Sequence, residues 1–173
     1  MESPSYLNTF IVSSVYDLNL LRLSMYKYIN VVYYDIIRPF EKNDFPQNIS
    51  VVHLKYSMIQ QNFAYLPENV TEICFHHNVE NLDLDSIPKT VLTLSFYIPI
   101  GQSVVDNLPC WLRHLKIYFF SRTFQSYDNL PVGLQSIYFD KKEVRYDVAG
   151  KKYFDLCFIP PNCIVYINDR YMI

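Results

Sequence analysis

Leu66-Pro67-Glu68-Asn69-Val70-Thr71-Glu72-Ile73-Cys74-Phe75 returns 21 residues later as Ile87-Pro88-Lys89-Thr90-Val91-Leu92-Thr93-Leu94-Ser95-Phe96. The same unit opens at Phe45-Pro46, Leu108-Pro109 and Leu130-Pro131, so the prolines stand at 46, 67, 88, 109 and 131. Apolar residues follow each proline at plus three, plus six and plus eight. They are Ile49, Val52, Leu54; Val70, Ile73, Phe75; Val91, Leu94, Phe96; Leu112, Leu115, Ile117; and Leu134, Ile137, Phe139. Apolar residues at plus six and plus eight with variable neighbours give the period-two alternation of a half-buried strand. Proline is tolerated at the first residue of a strand and not inside one, so each unit is expected to open on its proline.

A fixed period of about 20 to 29 residues around an L-x-x-L-x-L core resembles the leucine-rich repeats. The expected fold is an α/β solenoid, a leucine-rich-repeat-like stack of short parallel strands. The plus-three residue and a later apolar residue (Phe63, Leu82, Val104 or Phe124) would close each coil. No unit has room for a long helix, so the back should be mostly loops and tight helical turns. The general repeat places Asn three residues past the strand, where its amide satisfies buried backbone. Here those positions are Ser57, Asn78, Pro99, Phe120 and Lys142, which predicts irregular turns.

Residues 1–40 do not follow the beat. Asp17 is the expected N-cap, and Leu18, Leu21, Met25, Tyr28, Val32 and Ile36 recur at helical spacing. Tyr6, Leu7, Phe10 and Ile11 would make a smaller preceding helical turn, and Arg38-Pro39 would end the pattern. A helical N-terminal cap covering the first core layer is expected over 1–40, five repeats over 41–140, and a C-terminal hairpin with a capping repeat over 141–173. The hairpin would pair 144–148 with 153–158 around Ala149-Gly150-Lys151, and Cys163 to Tyr171 would form a final strand.

The recurrent [LI]-P-x-x-[VL]-x-x-[LI]-x-[FLI] unit, kept in four copies and varied at Phe45, Ile49 and Val52 in the first, resembles the FNIP repeats, leucine-rich-repeat relatives abundant in social amoebae and in giant viruses that infect amoebae. The naming F-N-x-P-I signature is intact in no copy. Asp17-Leu18-Asn19-Leu20-Leu21-Arg22-Leu23, followed by Lys27-Tyr28-Ile29-Asn30, resembles the second half of an F-box, without its usual Leu-Pro-x-Glu opening. That resemblance implies docking of a cullin ubiquitin ligase, through its small linker protein, by Leu18, Leu21, Leu23 and Tyr28, with substrate held on the repeats.

Composition narrows the classes of activity. The chain has 173 residues, half of them hydrophobic, with 18% charged and a net charge of -2. That balance argues against a partner held by long-range attraction to phosphates. No basic N-terminal leader and no span of about 18 uncharged apolar residues stands out, so a cytoplasmic protein without a membrane segment is expected (host cytoplasm, if viral). Cys74, Cys110, Cys157 and Cys163 form no C-x-x-C pair, and the sequons at Asn48 and Asn69 matter only to an exported chain. Only three glycines are present, so nothing cradles a phosphate and no cofactor is called for.

A repeat stack binds along its outward strand positions. The candidate binding face is His53, Lys55, Glu72, His76, Tyr97, His114, Lys116, Tyr118 and Tyr138. Aromatic residues fit strands in any case, but that preference does not explain why three tyrosines share the outward register. Tyrosine brings large contact area at low rotamer cost and suits a protein partner. The expectation is a non-catalytic module that binds a protein on its concave face. Two alternatives stand beside it: the ligase adaptor, and RNA or nucleotide stacking on the tyrosines beside Lys116 and His114. His53, Cys74 and His76 would lie close enough to consider a zinc site or a Cys-His pair, but their spacing matches no metal or nucleophile motif. Glu80, Asp83 and Asp85 read as a solvated acidic turn. No enzyme is expected.

Overall fold

The structure is a computed structural model that describes residues 9–23, 29–54, 63–77, 83–120, 129–140, 159–167 and 170–172. Its strands form one nine-stranded sheet in chain order. The strands are β1 (Thr9–Val12), β2 (Val31–Tyr34), β3 (Val51–Leu54), β4 (Glu72–Phe75), β5 (Thr93–Ile100), β6 (His114–Phe120), β7 (Ser136–Phe139), β8 (Ile164–Ile167) and β9 (Arg170–Met172). The first eight run parallel, each beside the one before it, and β9 folds back antiparallel on β8.

Register follows the sequence beat. Val52, Ile73, Leu94, Leu115 and Ile137 lie opposite one another from β3 to β7, and Leu54, Phe75, Phe96, Ile117 and Phe139 form the next row. Both rows are fully buried, as are the plus-three residues Ile49, Val70, Val91 and Leu112. Phe63 and Val104 close the core from behind, whereas Leu82 and Phe124 lie outside the described residues. The described connections carry only short helical pieces, the helix α1 (Val15–Leu21), the 3-10 turns Phe63–Tyr65 and Leu84–Ser86, and the helix α2 (Gln102–Asp106), as a period of about 21 residues requires.

The prolines act differently from expectation. Strands begin five residues after each one, and the proline instead heads a four-residue turn. Its carbonyl accepts the N–H of the plus-three residue, from Ile49 to Pro46 through Leu134 to Pro131, at 2.9 to 3.3 Å. Proline fits there because that turn uses its carbonyl and asks nothing of its missing N–H. The plus-four carbonyl then takes two N–H groups from the next unit. Ser50 accepts from Thr71 and Glu72, Thr71 from Leu92 and Thr93, and Leu92 from Arg113 and His114. Asn48 and Asn69, two residues past their prolines, donate their amides to the carbonyls of Ile29 and Gln47 in the preceding unit. Backbone accounting at strand entry is therefore regular. Past the strands, positions 57, 78 and 142 lie outside the described residues. At Pro99 and Phe120 the chain simply continues as strand, with a register shift between Phe96 and Pro99.

The helical N-terminal cap is the main correction. Phe10 and Ile11 belong to β1, Val32 belongs to β2, and the helix α1 covers only Val15–Leu21. The run Ile29-Asn30-Val31-Val32-Tyr33-Tyr34 is β-branched and aromatic, which suits a strand more than a helix, and pairing against β3 decides it. Two further strand units thus precede the five proline-led ones. The N-cap is Ser14 rather than Asp17: its hydroxyl accepts the Asp17 N–H, while Asp17 Oδ2 accepts from the Ser13 N–H and the Ser14 hydroxyl. Those bonds, the Ser14 hydroxyl first, hold the Asp17 carboxyl below its ordinary range. At the other end, residues 163–171 are two strands and not one. The expected hairpin at 144–158 lies outside the described residues.

Candidate binding face

Alternation along each strand leaves the odd set of side chains on the face opposite the core. Where these strands bring them together, rings line up across the sheet. Tyr33 stacks on His53 with centroids 4.0 Å apart and planes 10° apart. His53 meets His76 at 5.2 Å, with Nδ1 of the first 2.9 Å from Nε2 of the second. His76 stacks on Tyr97 at 4.5 Å and Tyr97 on Tyr118 at 4.1 Å, with planes 5° and 11° apart. Tyr138 closes the row, tilted 48° to Tyr118 at 5.5 Å. Six rings from six consecutive strand units make one continuous ladder.

The ladder changes row on the way. Tyr33 and His53 occupy the central outward position of β2 and β3, but the same register position holds Cys74 on β4 and Ser95 on β5. Both are small and buried. The larger rings of His76 and Tyr97, two residues further along, take up the stack beside them. Beneath lies a polar cluster. Glu72 Oε1 accepts from the fully buried Ser95 hydroxyl at 2.6 Å and from Lys116 Nζ at 2.8 Å, tying β4, β5 and β6 together. His114 Nδ1 lies 2.8 Å from Ser136 Oγ on β7.

Protonation follows from these surroundings. Burial and the neighbouring His76 push His53 down to about 4. Burial alone would raise Glu72, but the bonds from Lys116 and Ser95 outweigh it and hold the carboxyl below its ordinary value. Burial, then the hydroxyl of Tyr118, raises Tyr97, and burial raises the Cys74 thiol. A thiol so held is a poor nucleophile and a poor metal ligand at neutral pH. Its sulfur lies 3.6 Å from Glu72 Oε1. Among the described residues no group of three or more His, Cys, Asp or Glu is placed to hold a metal.

Of the residues named from sequence, His53, Glu72, His76, Tyr97, His114, Lys116, Tyr118 and Tyr138 share this face, and Lys55 lies outside the described residues. Sequence reading missed Tyr33 and Tyr166. Tyr33 falls inside the stretch that the helical spacing spans, although the β-branched pair Val31-Val32 just before it was its signal. Tyr166 sits opposite Tyr138 on β8, in a unit whose proline spacing had slipped. The described residues of the F-box-like stretch do not share one surface. Leu18 and Leu21 are fully buried in the core, Leu23 is exposed, and Tyr28 lies outside the described residues. Asp83 caps its own turn by accepting the Asp85 N–H.

No family model, curated protein or solved structure matches this chain. Among the described residues no helix is long and apolar enough to cross a membrane.

Proposed function

We propose that this chain is a non-catalytic binding module, a leucine-rich-repeat-like solenoid of the FNIP kind, that holds a protein partner against the open face of its sheet. The observation that carries this reading is the six-ring ladder from Tyr33 to Tyr138. Its rings are half-buried, each stiffened by its neighbours, so their edges and hydroxyls meet a partner at little entropic cost. The five proline-led units and their in-register parallel pairing support the solenoid and the kinship.

The ladder also weighs against nucleic acid. Bases stack on free aromatic faces, and here the faces of Tyr97 are taken by His76 and Tyr118. The adaptor reading draws no support from α1, because Leu18 and Leu21 are committed to the protein's own core.

The test is a photo-crosslinking amino acid placed at Tyr138 in the full chain, in cells. A crosslinked protein is expected, and Tyr118→Ala should abolish it while circular dichroism stays unchanged. Crosslinking that survives Tyr118→Ala overturns the reading.

A further inference from the structure

The open face changes character along the sheet. On β1, β2 and β3 its positions are Thr9, Ile11, Val31, Tyr33, Val51 and His53, set opposite one another in two rows. All six are at least partly exposed, Ile11 most of all at 56%. None is charged at neutral pH, since burial, then the neighbouring His76, keeps His53 in its neutral form. From β4 the first row continues as Glu72, Thr93, His114 and Ser136, and across both rows an aliphatic residue returns only at Ile164. We propose that the uncharged patch over β1, β2 and β3 anchors an apolar segment of the protein partner, an inference that rests on the binding-face reading above and names the chemistry of what is bound.

The middle of the face offers little net charge to draw a partner in. Glu72 and Lys116 pair with each other at 2.8 Å, and Glu72 also takes the Ser95 hydroxyl. Long-range attraction is therefore weak, and affinity on this face has to come from covering apolar surface. That surface is concentrated where Ile11, Val31 and Val51 flank the first ring of the ladder. Ile11 is the register neighbour of Tyr33, and Tyr33 stacks on His53. An anchor here is continuous with the ladder, so one partner segment passes from aliphatic side chains to ring edges without leaving the face.

Size and charge choose among occupants. Six partly exposed side chains offer on the order of a few hundred Å2, short of the roughly 800 Å2 per partner that holds two chains in a stable pair. The patch thus serves as the apolar part of a larger contact that continues along the ladder, not as a dimer interface by itself. No lysine or arginine is among the six, so the cationic groups that hold a protein on an anionic membrane surface are missing from it.

Selection of a phage-displayed random peptide library on the immobilised full chain tests this. Enriched peptides should carry aliphatic or aromatic residues and hold their affinity within about twofold between about 0.05 and 0.5 M sodium chloride. Ile11→Ser and the nearly isosteric Val51→Thr should each weaken them about fivefold to tenfold, with circular dichroism unchanged. Peptides that are lost with Tyr118→Ala yet bind both of these variants as well as the parent overturn the apolar anchor and leave the binding face standing. Acidic or basic peptides whose binding collapses with salt overturn it in the same way. An absence of enriched peptides that depend on Ile11, Val51 or Tyr118 overturns both readings. Sedimentation velocity should show a monomer, and the chain should not cosediment with phosphatidylcholine vesicles. A dimer that Ile11→Ser dissolves gives the patch to a second copy, and vesicle binding that Ile11→Ser abolishes gives it to lipid; either result overturns the proposal.

Discussion

Asp44 is completely buried, yet its carboxylate is fully engaged. Oδ1 takes Arg22 Nη2 at 2.6 Å and Arg38 Nη2 at 2.8 Å, and Oδ2 accepts the Glu41 N–H at 2.8 Å. Asn43 reaches this turn at φ 70°, a left-handed conformation that asparagine takes more readily than most residues. Arg22 leaves the end of α1 and Arg38 follows β2, so one carboxylate joins the two earliest units to β3. Asp44→Ala would remove the buried carboxylate that two guanidiniums and the Glu41 N–H share. A loss of roughly 3 kcal/mol is expected, read from urea denaturation, whereas Glu41→Gln, on an exposed partner of Arg38, should change little. His53 makes a second residue-scale prediction. Its native value of about 4 lies below the ordinary 6.5 of a free imidazole, so the unfolded chain takes up the proton first. Stability should therefore be full above 6.5 and fall as pH drops from 6.5 towards 4. His53→Phe keeps a ring in the ladder and should flatten that slope in urea titrations at neutral and mildly acidic pH.

Among the elements, the strands separate core from surface by one residue. Leu94 and Leu115 are fully buried between paired strands. Leu115→Ala should cost about 3 kcal/mol through its cavity, and Leu115→Asp should unfold the protein by burying a charge. Tyr118→Ala, three residues on and facing out, should leave the circular dichroism intact. Helix α1 depends on its cap, and Ser14→Ala should cost about 1 kcal/mol. The five proline-led strands were legible because their signal is local: proline and period two lie within one unit. Strands β1 and β2 were not, because no proline leads them. Leu18, Leu21, Val32 and Ile36 also satisfy a helical spacing, and only pairing with β3 breaks the tie.

At the scale of the whole sheet, each described strand pairs only with its sequence neighbours, so protection should fall from the middle of the sheet to its ends. Amide exchange is expected to be slowest at β4, β5 and β6 and fastest at β1 and β9. Uniform protection would mean one global unit instead. Residue order alone determined the number of proline-led units, the inward set from Ile49 to Phe139 and the outward register of Tyr97, Tyr118 and Tyr138, since all of these repeat along a single strand. Tertiary structure decided what the outward residues became. The contact of His53 with His76, and the link from Glu72 through Ser95 to Lys116, join groups 23 and 44 residues apart. Which side chain fills the space beside a small Cys74 or Ser95 depends on how neighbouring strands pack, and no periodicity within one unit encodes that.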